Sequence, residues 1–99
     1  MDNEAIASID KGLAISPDNA KAHHYLGAIC IKQGLRERAI KEFESVIAID
    51  PSFGDAYYNL AYLYATSNPK RLDLARDCYL RAQQNGTSAD TAMDSALGS

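Results

Sequence analysis

Few residues in this chain have types and spacings that suit chemistry. His23 and His24 stand side by side, and Cys30 and Cys78 are the two cysteines. A metal site needs ligands that converge on one point. Adjacent side chains on a helix point about 100° apart, so the two histidines do not readily share an ion. The positions four residues on, Gly27 and Ala28, add no ligand. This spacing suits one histidine packed inward and one on an open face. Both cysteines fall among apolar helical positions, where a thiol acts as a small hydrophobe. Lys70, Arg71, Arg76 and Arg81 alternate with Asp73 and Asp77, which describes a solvated face rather than a phosphate site. No Gly-rich phosphate loop and no nucleophile–base–acid set appears in the sequence. The chain is therefore expected to be no enzyme and to need neither metal nor cofactor.

Composition sets the frame around these residues. Ninety-nine residues make one small domain with one modest core. With 46% hydrophobic and 23% charged residues the composition is that of an ordinary globular protein. A net charge of −3 argues against a nucleic-acid surface, where a basic stripe is expected. Apolar stretches are only a few residues long, too short to span a bilayer. Met1-Asp2-Asn3-Glu4 lacks the basic start and apolar run of a signal peptide. The expectation is a soluble, cytoplasmic, helical protein.

The chain repeats itself. Pro17 and Pro51 lie 34 residues apart in matching phrases, Ile15-Ser16-Pro17 and Ile49-Asp50-Pro51. Leu26 and Leu60 keep the same offset, each followed by a small residue, Gly27 or Ala61. So do Ala5 and Ala39, each followed four residues later by a bulky apolar side chain, Ile9 or Phe43. The apolar spacing predicts helices over 4–15, 20–33, 36–49, 52–66 and 70–84, with a shorter one over 89–97. Gly34 and Gly86 end helices, and Pro51 turns Asp50 out of the preceding one. Ser52 with Asp55 reads as a capping-box start, and Pro69 as a first helical residue. Leu74, Ala75, Tyr79 and Ala82 are expected inward on the 70–84 helix. Glu37–Lys41 and Arg38–Glu42 read as charge pairs on the outer side of the 36–49 helix.

These residues resemble the tetratricopeptide repeat family, whose unit is a 34-residue helical hairpin. One full unit reads His23, Leu26, Gly27, Cys30, Ala39, Phe43, Pro51. The next reads Tyr57, Leu60, Ala61, Tyr64, Ala75, Tyr79, Ala82, with two residues added in the Asn68-Pro69-Lys70-Arg71 turn and no closing proline. His23 and Cys30 stand where the family usually has aromatics. The resemblance implies an all-α, right-handed superhelical stack of about two and a half hairpins with a C-terminal capping helix. Residues 4–17 would be the second helix of a partial repeat, 18–51 and 52–86 the full repeats, and 87–99 a cap or a tail. Small residues (Gly27, Ala39, Ala61, Ala75, Ala82) let helices approach. Large ones (Tyr25, Phe43, Tyr57, Tyr64, Tyr79) fill the space between them.

The resemblance also implies a function. In this family the first helices of successive hairpins line a concave groove that holds a peptide or helix of a partner protein. The groove positions carried over are Lys21, His24, Tyr25, Ala28, Ile31 and Lys32, then Asp55, Tyr58, Asn59, Tyr62 and Thr66. Tyr58 and Tyr62 are either recognition residues or half-exposed rings shielding a helix surface. A carboxylate clamp of the kind some members carry is not expected, because His24 and Ala28 stand where further donors belong. The helix at 4–15 lacks the partner helix that should precede it, leaving Ala5, Ile9, Gly12 and Leu13 as an apolar patch. Three accounts fit: a fragment of a longer repeat protein, which is favoured; a homodimer through that open face; or a first helix that tilts to cover itself. A self-assembling scaffold is thus the alternative to partner binding.

Overall fold

A computed structural model describes residues 2–67 and 71–88, together with Met93, Ser95 and Leu97. Five helices are bounded among the described residues: α1 (Asp2–Ile15), α2 (Ala20–Lys32), α3 (Arg36–Ile49), α4 (Gly54–Ala65) and α5 (Leu72–Gln84). There is no strand among the described residues, and Met93, Ser95 and Leu97 are helical. The protein is all-α and built from helical hairpins. Its chain divides into two compact units, Met1–Pro51 and Ser52–Ser99. The division falls behind Asp50, whose extended backbone (φ −133°, ψ 91°) is the conformation a following proline favours.

In the first unit, α2 and α3 form one hairpin. Asn19 opens α2 by accepting a hydrogen bond from the Ala22 N–H at 3.1 Å. Gly34 closes it with φ +77°. The Gly34 N–H donates to the Ile31 carbonyl and the Leu35 N–H to the Cys30 carbonyl. That is a Schellman cap, which needs a left-handed residue and so selects glycine. The hairpin buries Leu26, Gly27 and Cys30 from α2 and Ala39, Phe43 and Val46 from α3. Helix α1 lies antiparallel to α2: the Gln33 side-chain amide, just past the end of α2, donates to Asn3 near the start of α1 at 3.3 Å. None of the described side chains of α1 is fully buried.

In the second unit, α4 and α5 pair. Eight residues of α4 are buried, Gly54, Ala56, Tyr57, Leu60, Ala61, Leu63, Tyr64 and Ala65, against Ala75, Cys78, Tyr79 and Ala82 on α5. No glycine ends α4. Instead the Thr66 hydroxyl donates to the Tyr62 carbonyl at 2.8 Å and the Ser67 hydroxyl to the Leu63 carbonyl at 2.6 Å, a local side-chain substitute for the next helical bonds. Gly86 (φ +97°) ends α5, with its N–H donating to the Gln83 carbonyl and that of Thr87 to the Ala82 carbonyl. The start of α4 presses on this turn: a Cβ on Gly54 would stand 2.8 Å from the Asn85 carbonyl oxygen. Met93 and Leu97 are buried, and Arg76 Nε donates to the Leu97 carbonyl at 2.8 Å.

Four local expectations change. Helix α4 starts at Gly54 behind Phe53, which makes no side-chain cap; Asp55 is then the second helical residue, one short of a capping box. Helix α5 starts at Leu72 behind Arg71, later than the expected start at 70. Leu74 is 48% exposed, because the inward stripe runs 75, 78, 79, 82 and leaves its neighbour about 100° away. Arg38 and Glu42 pair at 3.6 Å, but Glu42 is largely covered, so this pair lines the seam between helices rather than the outer side. The inserted turn at Asn68, Pro69 and Lys70, and most of the closing segment (Ala89, Asp90, Thr91, Ala92, Asp94 and Ala96), lie outside the described residues.

Candidate functional site

The face expected from α2 is open in most places. Lys21, Ala28 and Lys32 are exposed and Ile31 is half-buried. Tyr25 is 64% exposed. It precedes the buried Leu26, so it points off the core stripe. It is the large side chain that the sequence also counts among the fillers, and the structure places it outside. His24 does more than face outward. Its ring stands edge-on to Phe43 at 5.5 Å between centroids and to Tyr25 at 6.4 Å.

The face expected from α4 divides in a similar way. Asp55 and Thr66 are exposed, while Tyr58 and Asn59 are half-buried. Tyr58 meets the Tyr79 ring of α5 edge-on, with centroids 6.5 Å apart. Tyr62, one turn on, is 42% exposed. The two tyrosines that the spacing pairs therefore differ: Tyr58 braces its hairpin, and Tyr62 offers its ring. Tyr57, Tyr64 and Tyr79 are buried.

On α1, Ala5, Ile9 and Leu13 are half-buried and Gly12 is exposed. Ile15, at the end of the helix, is 85% exposed.

The histidine pair makes a different arrangement from a metal site. No group of three or more His, Cys, Asp or Glu among the described residues could hold a metal ion. His23 instead lies between two acceptors: Nδ1 is 2.7 Å from Glu42 Oε1 and Nε2 is 2.9 Å from the Pro17 carbonyl oxygen. Glu42 Oε2 is 3.6 Å from Arg38 Nε, and Arg38 Nη2 donates to both oxygens of Asp10 at 2.8 and 3.1 Å. Burial lowers the His23 pKa. The hydrogen bonds to Glu42 and Pro17 and the Glu42 charge outweigh that, and the net direction is up. Cys30 is fully buried. Burial pushes its thiol pKa up, the Arg38 charge opposes this, and the Glu42 and Asp10 charges add to it. The four-residue spacing signals the Arg38–Glu42 pair, but nothing in the sequence signals the other contacts, whose members are 6, 19 and 28 residues apart.

None of the described helices is long and apolar enough to cross a membrane. A family model described as TPR repeat matches residues 29–68. A TPR repeat-containing thioredoxin, TTL4, from Arabidopsis thaliana is 34% identical over 61 residues, which are 62% of this chain and 9% of that protein. The chain thus spans under a tenth of that relative's length. With the 34-residue period and the glycine-closed and hydroxyl-closed hairpins, these matches support a protein of the tetratricopeptide repeat family, with the repeat model itself placed on residues 29–68.

Proposed function

We propose that the chain is a protein–protein interaction module that takes a peptide or helix of a partner protein on the open faces of α2 and α4, and that it carries no catalytic role. Repeats of this family are generally protein–protein interaction modules and are typically non-enzymatic. The observation that carries the reading is the exposure of one large ring on each of these helices, Tyr25 at 64% and Tyr62 at 42%. A tyrosine gives a rigid apolar face and a polar tip at low entropic cost, which suits a recognition anchor. Lys21, Lys32, Asp55 and Asn59 supply polar contacts around these anchors, and Ala28 leaves room for an incoming side chain. His24, Ile31 and Tyr58 support the surface from its half-buried margin.

The test is selection of peptides from a displayed library on the whole chain, followed by binding to Tyr25→Ala/Tyr62→Ala. The expected result is at least a tenfold loss of affinity, about 1.4 kcal/mol, with the melting temperature little changed. Undiminished binding would overturn the proposal.

A second reading rests on the Ile15 exposure and on the half-buried Ile9 and Leu13 of α1, which with Ala5 and Gly12 would join like chains. Light scattering at high concentration decides it. A clean monomer removes the self-assembly reading and leaves partner binding intact.

A further inference from the structure

We propose that His23 is held as the imidazolium in the folded protein and acts as a pH-released clasp, tying the turn between α1 and α2 to α3 while protonated and loosening that turn and α1 once it deprotonates. The geometry carries this. Both ring nitrogens lie within hydrogen-bond distance of groups that only accept at these positions, the Glu42 carboxylate at 2.7 Å and the Pro17 carbonyl at 2.9 Å. A neutral imidazole donates from one nitrogen only. Its bare nitrogen would then face an oxygen lone pair, so one of the two contacts must open. Only the imidazolium satisfies both acceptors.

The charges around the ring agree. Glu42 from α3 faces it directly, with one oxygen on His23 and the other toward Arg38 of the same helix. Arg38 in turn holds Asp10 of α1. Pro17, in the turn before α2, presents a carbonyl dipole and no charge. With His23 protonated the signs alternate, His⁺, Glu⁻, Arg⁺, Asp⁻, and sum to zero. With His23 neutral the cluster keeps one uncompensated negative charge. Glu42 and His23 are both largely covered, so this imbalance is screened less than it would be at the surface. The clasp links α1 to the hairpin at its two ends, through Pro17 in the turn and through Asp10 on the helix.

The pH window follows from the sign. The His23 pKa is raised on folding, so the clasp's contribution is complete below the unfolded value of about 6.5 and is lost as pH rises through the higher folded value. The test uses the whole chain and nitrogen-detected NMR titration of the imidazole, with His24→Gln to assign the signals. The expected His23 pKa lies above 6.5, and Glu42→Gln, which keeps the shape and removes the charge, lowers it. Amide protection factors in α1 should fall across the same titration, and that fall should vanish in His23→Gln. A His23 pKa at or below 6.5, no response to Glu42→Gln, or α1 protection that is flat across the titration would overturn the proposal. The wild-type titration needs no variant that must fold.

Discussion

The tip of the Phe43 ring stands 2.7 Å from where a Cβ on residue 27 would be, so the α2–α3 hairpin closes over a glycine at that point. Phe43 is fully buried and is met edge-on by His24, which leaves the ring little freedom to move aside. Gly27→Ala gains helix propensity of about 1 kcal/mol and meets overpacking of about 1–3 kcal/mol. The expected result in urea melts is a net loss of about 1 kcal/mol, at most about 2. Phe43→Leu in the same chain should restore part of it, because the two changes share one site. Gly54→Ala should cost at least as much, since its Cβ would meet the Asn85 backbone carbonyl at 2.8 Å rather than a side chain.

The tyrosines should separate cleanly by burial. Tyr64 is 7% exposed, and Tyr64→Ala is expected to cost about 3–5 kcal/mol, as for other buried aromatics. Tyr25→Ala should change stability by no more than about 0.5 kcal/mol. Chemical denaturation of the two variants side by side checks this. Equal losses would mean that Tyr25 packs in the folded protein.

Cys30 should be inert toward thiol reagents in the native state. It is fully covered, and the upward push of burial on its pKa keeps it as the thiol rather than the reactive thiolate. In a Cys78→Ala background, disulfide-exchange labelling should proceed at a rate set by opening of the hairpin and should rise steeply with urea. Rapid labelling in native buffer would contradict the packing of α2 on α3.

Removing residues 88–99 should lower the melting temperature. The deletion takes away the buried side chains of Met93 and Leu97 and the carbonyl that accepts from Arg76. Each buried apolar side chain contributes about 1.5–3 kcal/mol, so a drop on the order of 10 °C is expected. Thermal melts followed by circular dichroism measure it. An unchanged midpoint would make the segment a tail.

Much of the fold is legible along the chain. Arg36–Ile49 is the helix that the apolar spacing marks out, because a strong stripe between a glycine stop and a pre-proline residue leaves little choice of ends. The start of α4 is less legible. Ser52 has the right type for a cap, but helix registry is set by where α4 meets the turn after α5, at the Gly54–Asn85 approach. Leu74 and Tyr25 show the limit of composition. A large apolar side chain beside a small one competes for the same inward place, and close helix approach gives that place to Ala75 in one case and to the Leu26–Gly27 pair in the other. Among the positions that the resemblance assigns to the open faces, the difference between Tyr58 and Tyr62 was not legible, since it depends on Tyr79 of the facing helix.

The sequence by itself determined that the chain is all-α, that it repeats every 34 residues, and that Gly34 and Gly86 end its helices. These are local matters of periodicity and backbone freedom, complete within a few turns of chain. Only the tertiary structure decided what His23 touches. Its partners Pro17 and Glu42 lie 6 and 19 residues away, and the contact continues through Arg38 to Asp10, 28 residues from Arg38. Such pairings exist because packing brings separate helices within hydrogen-bond reach, and no period in the sequence records that distance.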